Sequence, residues 1–140
     1  MDIYIRNKKF ERVAIIEDAS VIWTTRYYDV GDFEVYVGVT KEYINLLQVG
    51  NYVERLDDDK IGVIEDIEIE KDEEDGTEYL IVTGRFVESI LSRRIVWMQT
   101  QLSGTAENGL RNLINDNLIN PVIAARKIPI VELGNVKGNT

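Results

Sequence analysis

The feature that most constrains the fold of this chain is an alternation of apolar and acidic residues with a period of two in the second part of residues 61–71, which are predicted to form a long strand. Two isoleucines occupy one side of this stretch and three carboxylates the other: Ile67 and Ile69 against Asp66, Glu68 and Glu70. That period is typical of a β-strand with one face on a core and one face in solvent. Asp75-Gly76 then supplies a turn into the apolar residues 77–85, which predicts a β-hairpin with an acidic tip.

A second hairpin is predicted in the first third of the chain. Residues 20–28 and 33–39 are rich in β-branched and aromatic side chains, and residues 29–32 between them carry Asp and Gly. Shorter strands are predicted at residues 2–6, 12–17 and 51–56. Because both prolines lie late, at Pro121 and Pro129, no proline interrupts these strands.

Three helical segments are predicted. Thr40 is a suitable N-cap for a short helix at residues 41–47, and residues 86–94 change to a helical period. The longest helix begins after Thr105 and ends before Pro121. Its apolar residues recur at helical spacing: Ala106, Leu110, Leu113, Ile114 and Leu118.

The remaining segments are read as a strand at residues 95–101 and an extended stretch at residues 122–136. The fold class expected is α+β, mainly antiparallel β, with a barrel-like or strongly twisted sheet and two or three helices. Residues 1–100 are expected to form a β-rich module. Residues 101–140 are expected to form a helix plus an extended segment that packs on the module or begins the next domain.

The amino-acid composition excludes several classes of catalytic and binding site. The chain has no histidine and no cysteine, which excludes disulfides, thiolate nucleophiles, zinc fingers and Ser-His-Asp arrangements. With 16 basic and 25 acidic residues the net charge is −9, so binding to phosphate backbones and to anionic lipid is disfavoured. We therefore expect no sequence-specific nucleic-acid partner.

The amino-terminal residues have no apolar stretch behind a basic one, so no signal peptide is predicted. No run approaches the roughly 18 apolar residues of a membrane span, so no membrane insertion is expected. The expectation is a soluble intracellular product, or a part assembled inside the cell.

No candidate for catalysis, cofactor binding or metal binding survives inspection. An EF-hand loop starting at Asp57 would place Ile61 at a ligand position. A pair of carboxylates at the spacing of a glycosidase is expected by chance among 25 acidic residues, and an exposed strand face does not raise a carboxyl pKa. Glycine-rich phosphate loops are absent from the sequence. The chain is therefore not expected to be an enzyme.

Two clusters suggest binding. Arg93 and Arg94, with Arg85 nearby in sequence, would suit a phosphate, although on an acidic protein adjacent arginines at a helix end more often cap carbonyls or meet the acidic surface of a neighbour. Five aromatic residues lie along the first hairpin: Trp23, Tyr27, Tyr28, Phe33 and Tyr36. They would form a platform for a sugar or a base, or, more commonly, a packed cross-strand ladder.

The order of these features resembles a known family. Residues 21–37, VIWTTRYYDVGDFEVYV, are similar to its opening of a strand with Trp, Arg-Tyr, Gly and Phe-Glu. Residues 61–96, IGVIEDIEIEKDEEDGTEYLIVTGRFVESILSRRIV, are similar to its acidic hairpin followed by Gly-Arg and Leu-x-x-Arg. The family is that of siphophage-type phage and prophage tail proteins, the baseplate hub or tail-associated proteins. The resemblance extends over residues 10–133.

The resemblance implies a structural component of the virion tail tip, assembled in the bacterial host cytoplasm. It implies that residues 1–100 are a hub module of the tube-forming type. Three copies of such a protein form a ring that closes the tail tube and contacts the distal tail protein, and a lytic or receptor-binding domain follows in longer members.

In such a ring, Asp66, Glu68 and Glu70 are expected to face the DNA-conducting lumen or an adjacent subunit. Arg85, Arg93 and Arg94 are expected to contact a neighbour's carboxylates. Two alternatives stay open: a carboxylate-based hydrolase domain of a tail lysin, and a carbohydrate-binding module that uses the aromatic hairpin.

Overall fold

The computed structural model describes residues 1–138 and contains seven strands, two α-helices and several short helical turns. The strands are β1 (Ile3–Arg6), β2 (Arg12–Ile16), β3 (Ser20–Thr24), β4 (Asp32–Gly38), β5 (Tyr52–Arg55), β6 (Ile61–Lys71) and β7 (Glu78–Phe86). The α-helices are α1 (Lys41–Leu46) and α2 (Ala106–Ile114). A π-helical turn (Asn115–Ile119) continues α2, and 3₁₀ helices lie at Val87–Arg93 and Ala124–Arg126.

The strands form one sheet in the order β2-β1-β5-β6-β7-β4-β3, and each described pairing is antiparallel. The outermost strands, β2 and β3, are joined by only Glu17, Asp18 and Ala19. Four residue steps span at most about 14 Å, whereas seven strands laid flat would be roughly 29 Å across. The sheet must therefore curl until its two ends come near each other.

These observations confirm the predicted class of mainly antiparallel β with helices. The sheet is strongly curled, but β2 and β3 remain its outermost strands and it is not closed, so the barrel-like shape is met only loosely. The two predicted hairpins are present, as β3–β4 and as β6–β7. The strand predicted at residues 20–28 is shorter than expected, because β3 ends at Thr24 and residues 25–31 form the connection to β4.

The concave side of the sheet encloses the core. Alternate residues of each strand point inward, which is why the buried set follows the two-residue period. It comprises Ile3, Ile5, Ile16, Ala19, Phe33, Val35, Val37, Leu47, Val53, Ile64, Leu80, Val82 and Phe86. Trp23 packs against this cluster with ring centroids 4.7 Å from Phe86 and 5.7 Å from Phe33, and its Nε1 donates to Asp58 at 3.1 Å.

A β-bulge in β6 sets the orientation of the long hairpin. Ile64 pairs with Gly84 and Asp66 with Thr83, so Glu65 is an extra residue between them. Past the bulge the inward positions are Ile67 and Ile69, as the alternation predicts. Ile67 is half-buried, but Ile69 is 58% exposed, so its predicted burial is wrong.

The exposure of Ile69 has a structural cause. The pairing of β5 with β6 ends at Val63, so in the described chain the outer half of β6 has β7 as its only strand neighbour. This part of the hairpin projects beyond the core.

The predicted caps are present. Thr40 Oγ1 accepts a hydrogen bond from the Tyr43 N–H at 3.1 Å, and Thr105 Oγ1 accepts one from the Asn108 N–H at 3.2 Å. On α2, Leu110 belongs to the apolar series but its side chain is 61% exposed, while Gly109 is buried.

The strand predicted at residues 95–101 does not form. Its backbone groups bond to side chains of the same region instead of to a neighbouring strand. Arg126 donates to the Ile95 carbonyl at 2.7 Å, and the Trp97 N–H donates to Asn117 Oδ1 at 3.2 Å. The segment predicted as extended at residues 122–136 contains the 3₁₀ helix Ala124–Arg126.

The chain divides into two compact units, Met1–Ser89 and the part from Ile90 onward, and each is described by itself. The first contains the whole sheet, and the second contains α2 and the segments around it. None of the helices in residues 1–138 combines the length and apolar character needed to cross a membrane.

Edge strand β2 is tied to the sheet by Glu54 of β5. Glu54 accepts from Arg6 Nε at 2.8 Å and from Arg12 at 2.6 and 3.0 Å, and its side chain is only 14% exposed. The hydrogen bonds from Arg12 and Arg6 lower the pKa of Glu54 to about 2. One carboxylate therefore connects β1, β2 and β5.

The backbones of β6 and β7 approach each other closely at the bulge, so a larger residue at Gly84 is expected to destabilise the fold. A Cβ on Gly84 would lie 1.8 Å from the Val63 carbonyl oxygen, whereas a Cβ on Gly38 has no atom within 4 Å. We expect Gly84→Ala to lower the free energy of unfolding by about 1–3 kcal/mol or more, and Gly38→Ala to change it by less than about 1 kcal/mol. Urea denaturation followed by circular dichroism measures both, and equal losses would contradict this packing.

The Glu54 cluster predicts a pH dependence. Because the pKa of Glu54 is lowered in the folded state, its stabilisation is present above the ordinary value of 4.5 and is lost as the pH falls toward about 2. We expect Glu54→Gln to be less stable than the wild type by about 1–2 kcal/mol at neutral pH. The difference should shrink as the pH falls through that window.

Urea titrations across the same pH range measure this difference. Glu73→Gln, at the exposed tip of the β6–β7 hairpin, is the matched control and should show no such trend. A Glu54→Gln difference that stays constant with pH would count against the ionic role of this carboxylate.

Candidate interaction surface

The acidic row, defined as Asp66, Glu68 and Glu70, lies on the convex face of the curled sheet. In the register of β6 and β7 these residues oppose alternate residues of β7, and opposed residues share a face. All three side chains are exposed. The fold therefore presents three carboxylates in a line on the projecting hairpin.

Neighbouring groups extend this negative surface. Glu34 of β4 and Asp66 of β6 both pair with Thr83 of β7, one from each side of that strand. Because paired residues share a face of the sheet, Glu34 lies on the same face as the acidic row. The Tyr36 hydroxyl donates to Glu34, and this hydrogen bond raises the pKa of Tyr36. The carboxylates nearest the tip are used locally: Asp75 accepts from the Thr77 N–H at 2.8 Å, and the hydrogen bonds from Thr77 lower its pKa.

Arg85 is engaged within its own chain. Its Nε and Nη2 donate to the two oxygens of Glu65, the extra residue of the bulge, each at 2.9 Å. The fork-shaped pairing matches a guanidinium to a carboxylate, and it raises the pKa of Arg85. The charge predicted to meet a neighbouring subunit is thus balanced by an intrachain partner.

Arg93 and Arg94 belong to the second unit, at the end of the 3₁₀ helix Val87–Arg93. Arg94 donates to the carbonyl of Arg126 at 2.8 Å and to that of Arg93 at 3.0 Å, while the Arg93 side chain is exposed. Carbonyl capping, the commoner role of such arginines, is what Arg94 performs here. The predicted contact of these arginines with a neighbour stays a prediction.

The two outermost strands form a surface that the sequence interpretation did not single out. On β2, Val13 is 49% and Ile15 44% exposed, and on β3, Ile22 is 52% exposed. Within residues 1–138 each of these strands pairs on one side only, so the other side offers backbone N–H and C=O groups. The signal for this surface was a β-branched residue at an outward position of a short strand.

The carboxylates do not show the electrostatics of a general acid. Each described carboxylate whose pKa departs clearly from its ordinary value departs downward: Glu54, Asp57, Asp58, Asp75 and Glu88. At Glu88 burial is the largest single influence and acts to raise the pKa, but the hydrogen bond and charge of Lys60 and a backbone hydrogen bond together outweigh it, so the pKa is lowered. Cleavage of a glycoside needs a carboxyl group whose pKa is raised.

The acidic residues are also not arranged as a metal site. Among residues 1–138, no group of three or more Asp, Glu, His or Cys side chains is placed to hold a metal ion.

The aromatic residues of the first hairpin separate into two sets. Trp23 and Phe33 oppose each other across β3 and β4 and belong to the core, as a packed ladder would. Tyr27 and Tyr28 lie in the following turn and are 90% and 95% exposed. The hairpin is therefore not one continuous aromatic platform.

Comparison with known proteins gives one match. The family model described as siphovirus ReqiPepy6 Gp37-like protein matches residues 2–140. No curated protein and no solved structure matches the chain. Because the family match spans nearly the whole chain, the predicted resemblance to siphophage tail-type proteins is confirmed, and the protein belongs to the siphovirus ReqiPepy6 Gp37-like family.

Proposed function

We propose that this chain is a hub-like structural component of a siphophage tail tip, which associates with copies of itself and with other tail proteins such as the distal tail protein. Family membership supports a phage structural protein. The observation that carries the assembly role is the pair of open sheet edges, β2 and β3, with exposed β-branched side chains.

Soluble proteins usually protect sheet edges with lysine, proline or a covering segment. Neither β2 (RVAII) nor β3 (SVIWT) contains lysine or proline. A β-bulge is present in β2, where Ile5 pairs with Ala14 and Arg6 with Arg12, so that Val13 is the extra residue. Val13 and Ile15 on one edge and Ile22 on the other supply apolar area beside free backbone groups. An edge of this composition favours pairing with another strand.

The two edges differ, so joining β2 of one copy to β3 of the next is a head-to-tail contact. Such a contact closes into a ring when the rotation between copies divides a full turn, and otherwise forms an open filament. In the proposed assembly three copies form the ring, the location is the virion tail, and assembly takes place in the host cytoplasm.

The second unit offers a further contact surface. Ile95, Val96, Trp97 and Met98 are between 52% and 67% exposed. Trp97 and Met98 line a cavity of about 370 Å³ together with Val122 and Ile123, so the apolar side chains adjoin in space. An exposed patch of this kind is typical of a protein–protein contact, and we assign it to the other tail proteins.

We further propose that the chain has no catalytic role. The lowered carboxylate pKa values support this over the alternative of a hydrolase domain of a tail lysin. Zymography on bacterial cell-wall material separates the two: a clear band at the position of this chain would establish the hydrolase.

The acidic row is expected to face the lumen of the ring or an adjacent subunit. Carboxylates along a channel repel the DNA backbone and prevent it from adhering. Electron cryo-microscopy of tail tips that contain this protein should place Asp66, Glu68 and Glu70 on the lumen wall or in an interface. Their exposure to the outer solvent would contradict this orientation.

The edge-to-edge assembly predicts the effect of charges on the edges. The double variant Val13→Lys/Ile22→Lys should weaken self-association by more than about tenfold, because lysine on an edge opposes strand pairing. Ile44→Lys is the matched control, since Ile44 is 43% exposed on α1 and belongs to neither edge strand. Sedimentation velocity over a range of protein concentrations measures the association, and circular dichroism checks the fold.

Two results would contradict the proposal. One is a wild-type chain that stays monomeric at every concentration, and the other is a double variant that associates as the wild type does.

A further inference from the structure

Beyond the assembly role, we propose that the turn between β3 and β4 is a binding site for a neutral sugar. Residues 25–31 border a cavity of about 370 Å³ in the first unit, together with Lys60, Phe86 and Glu88. This volume lies at the lower end of the range of small-ligand pockets. The site is separate from the acidic row and involves neither edge strand.

Tyr27 and Tyr28 provide the apolar part of the site. They are 90% and 95% exposed, and their rings meet edge to face with centroids 4.6 Å apart and an angle of 89° between the planes. The pair thus presents ring surfaces at a right angle to each other. A pyranose has faces of C–H groups that stack on an aromatic ring and a rim of hydroxyls, and a tyrosine offers a matching apolar body and polar tip.

The turn that carries the tyrosines is braced. Arg26 Nη1 donates to Asp32 Oδ2 at 2.6 Å and to the Val30 carbonyl at 3.2 Å, and Asp29 Oδ1 accepts from the Val30 N–H at 2.8 Å. A turn already held by its own hydrogen bonds loses less conformational freedom on binding. The two exposed tyrosine rings are therefore carried by a turn whose conformation is held by hydrogen bonds.

Hydrogen-bonding groups lie beside the rings. Lys60 donates to Glu88 Oε1, which leaves two of its three N–H donors for other acceptors. The side chains of Lys60 and Glu88 are each 41% exposed, so ligand hydroxyls can approach this ion pair from solvent.

The charges around the cavity select the class of ligand. Arg26 and Lys60 are balanced by Asp29 and Glu88, on a chain whose net charge is −9. A nucleic acid or an acidic polysaccharide would meet no excess of positive charge here. Tyrosine and arginine are also common at protein contacts, so the test includes a protein partner as the competing outcome. The equal number of positive and negative side chains around the cavity favours a neutral, hydroxyl-rich ligand.

The test is an NMR titration of the isotope-labelled full chain with four neutral disaccharides: maltose, cellobiose, lactose and di-N-acetylchitobiose. We expect at least one of them to shift the resonances of residues 25–31, Lys60 and Glu88, with a dissociation constant on the order of 1 mM. Tyr27→Ala/Tyr28→Ala should weaken that binding by about tenfold or more. Tyr27→Phe/Tyr28→Phe, which keeps both rings, should retain most of it.

Tyr79→Ala is the matched control, because Tyr79 is 38% exposed on β7, outside this cavity, and its loss should leave sugar binding unchanged. The proposal is overturned if none of the four sugars shifts these resonances, or if the shifts persist in the alanine double variant. It is also overturned if that variant loses self-association and the wild type binds no sugar, since the tyrosines would then be a protein contact.

Discussion

The fold depends on one geometric constraint, the three residues Glu17–Ala19 that join the outermost strands of a seven-stranded sheet. The link is braced where Asp18 takes a left-handed backbone conformation, with φ of 56°, and where the Ala19 N–H donates to the Met1 carbonyl at 3.0 Å. A link this short forces the sheet to curl, and the curl allows a single layer of strands to enclose a core of β-branched and aromatic side chains. It also brings two strand edges near each other without pairing them.

A closed barrel has no edges, whereas this sheet keeps two that are neither charged with lysine nor interrupted by proline. The Glu54 cluster fixes β2 in place, so one of these edges is a firm surface and not a loose strand. The proposed assembly depends on these two edges, because strand pairing uses the backbone groups of an unpaired edge.

Local patterns predicted much of this fold. The two hairpins, both threonine caps and the outward acidic row follow from alternation, turn residues and hydroxyl side chains, all of which act within a few residues. The features that local patterns did not predict depend on residues far away in the sequence. Ile69 lies at an inward position of its strand, but it is exposed because β5 ends before it. Residues 95–101 have the composition of a strand, but their backbone groups bond to the side chains of Arg126 and Asn117. The edges that carry the proposed function become visible only once the strand order is known.

The central claim is that β2 and β3 join copies of the chain, and amide hydrogen exchange at two protein concentrations tests it most directly. The outward N–H groups of both strands have no strand partner within residues 1–138 of a single chain and should exchange rapidly when the protein is dilute. In the associated state the account predicts that these amides become protected, while those of the projecting β6–β7 tip do not change. Rapid exchange along β2 and β3 in the associated state would contradict it.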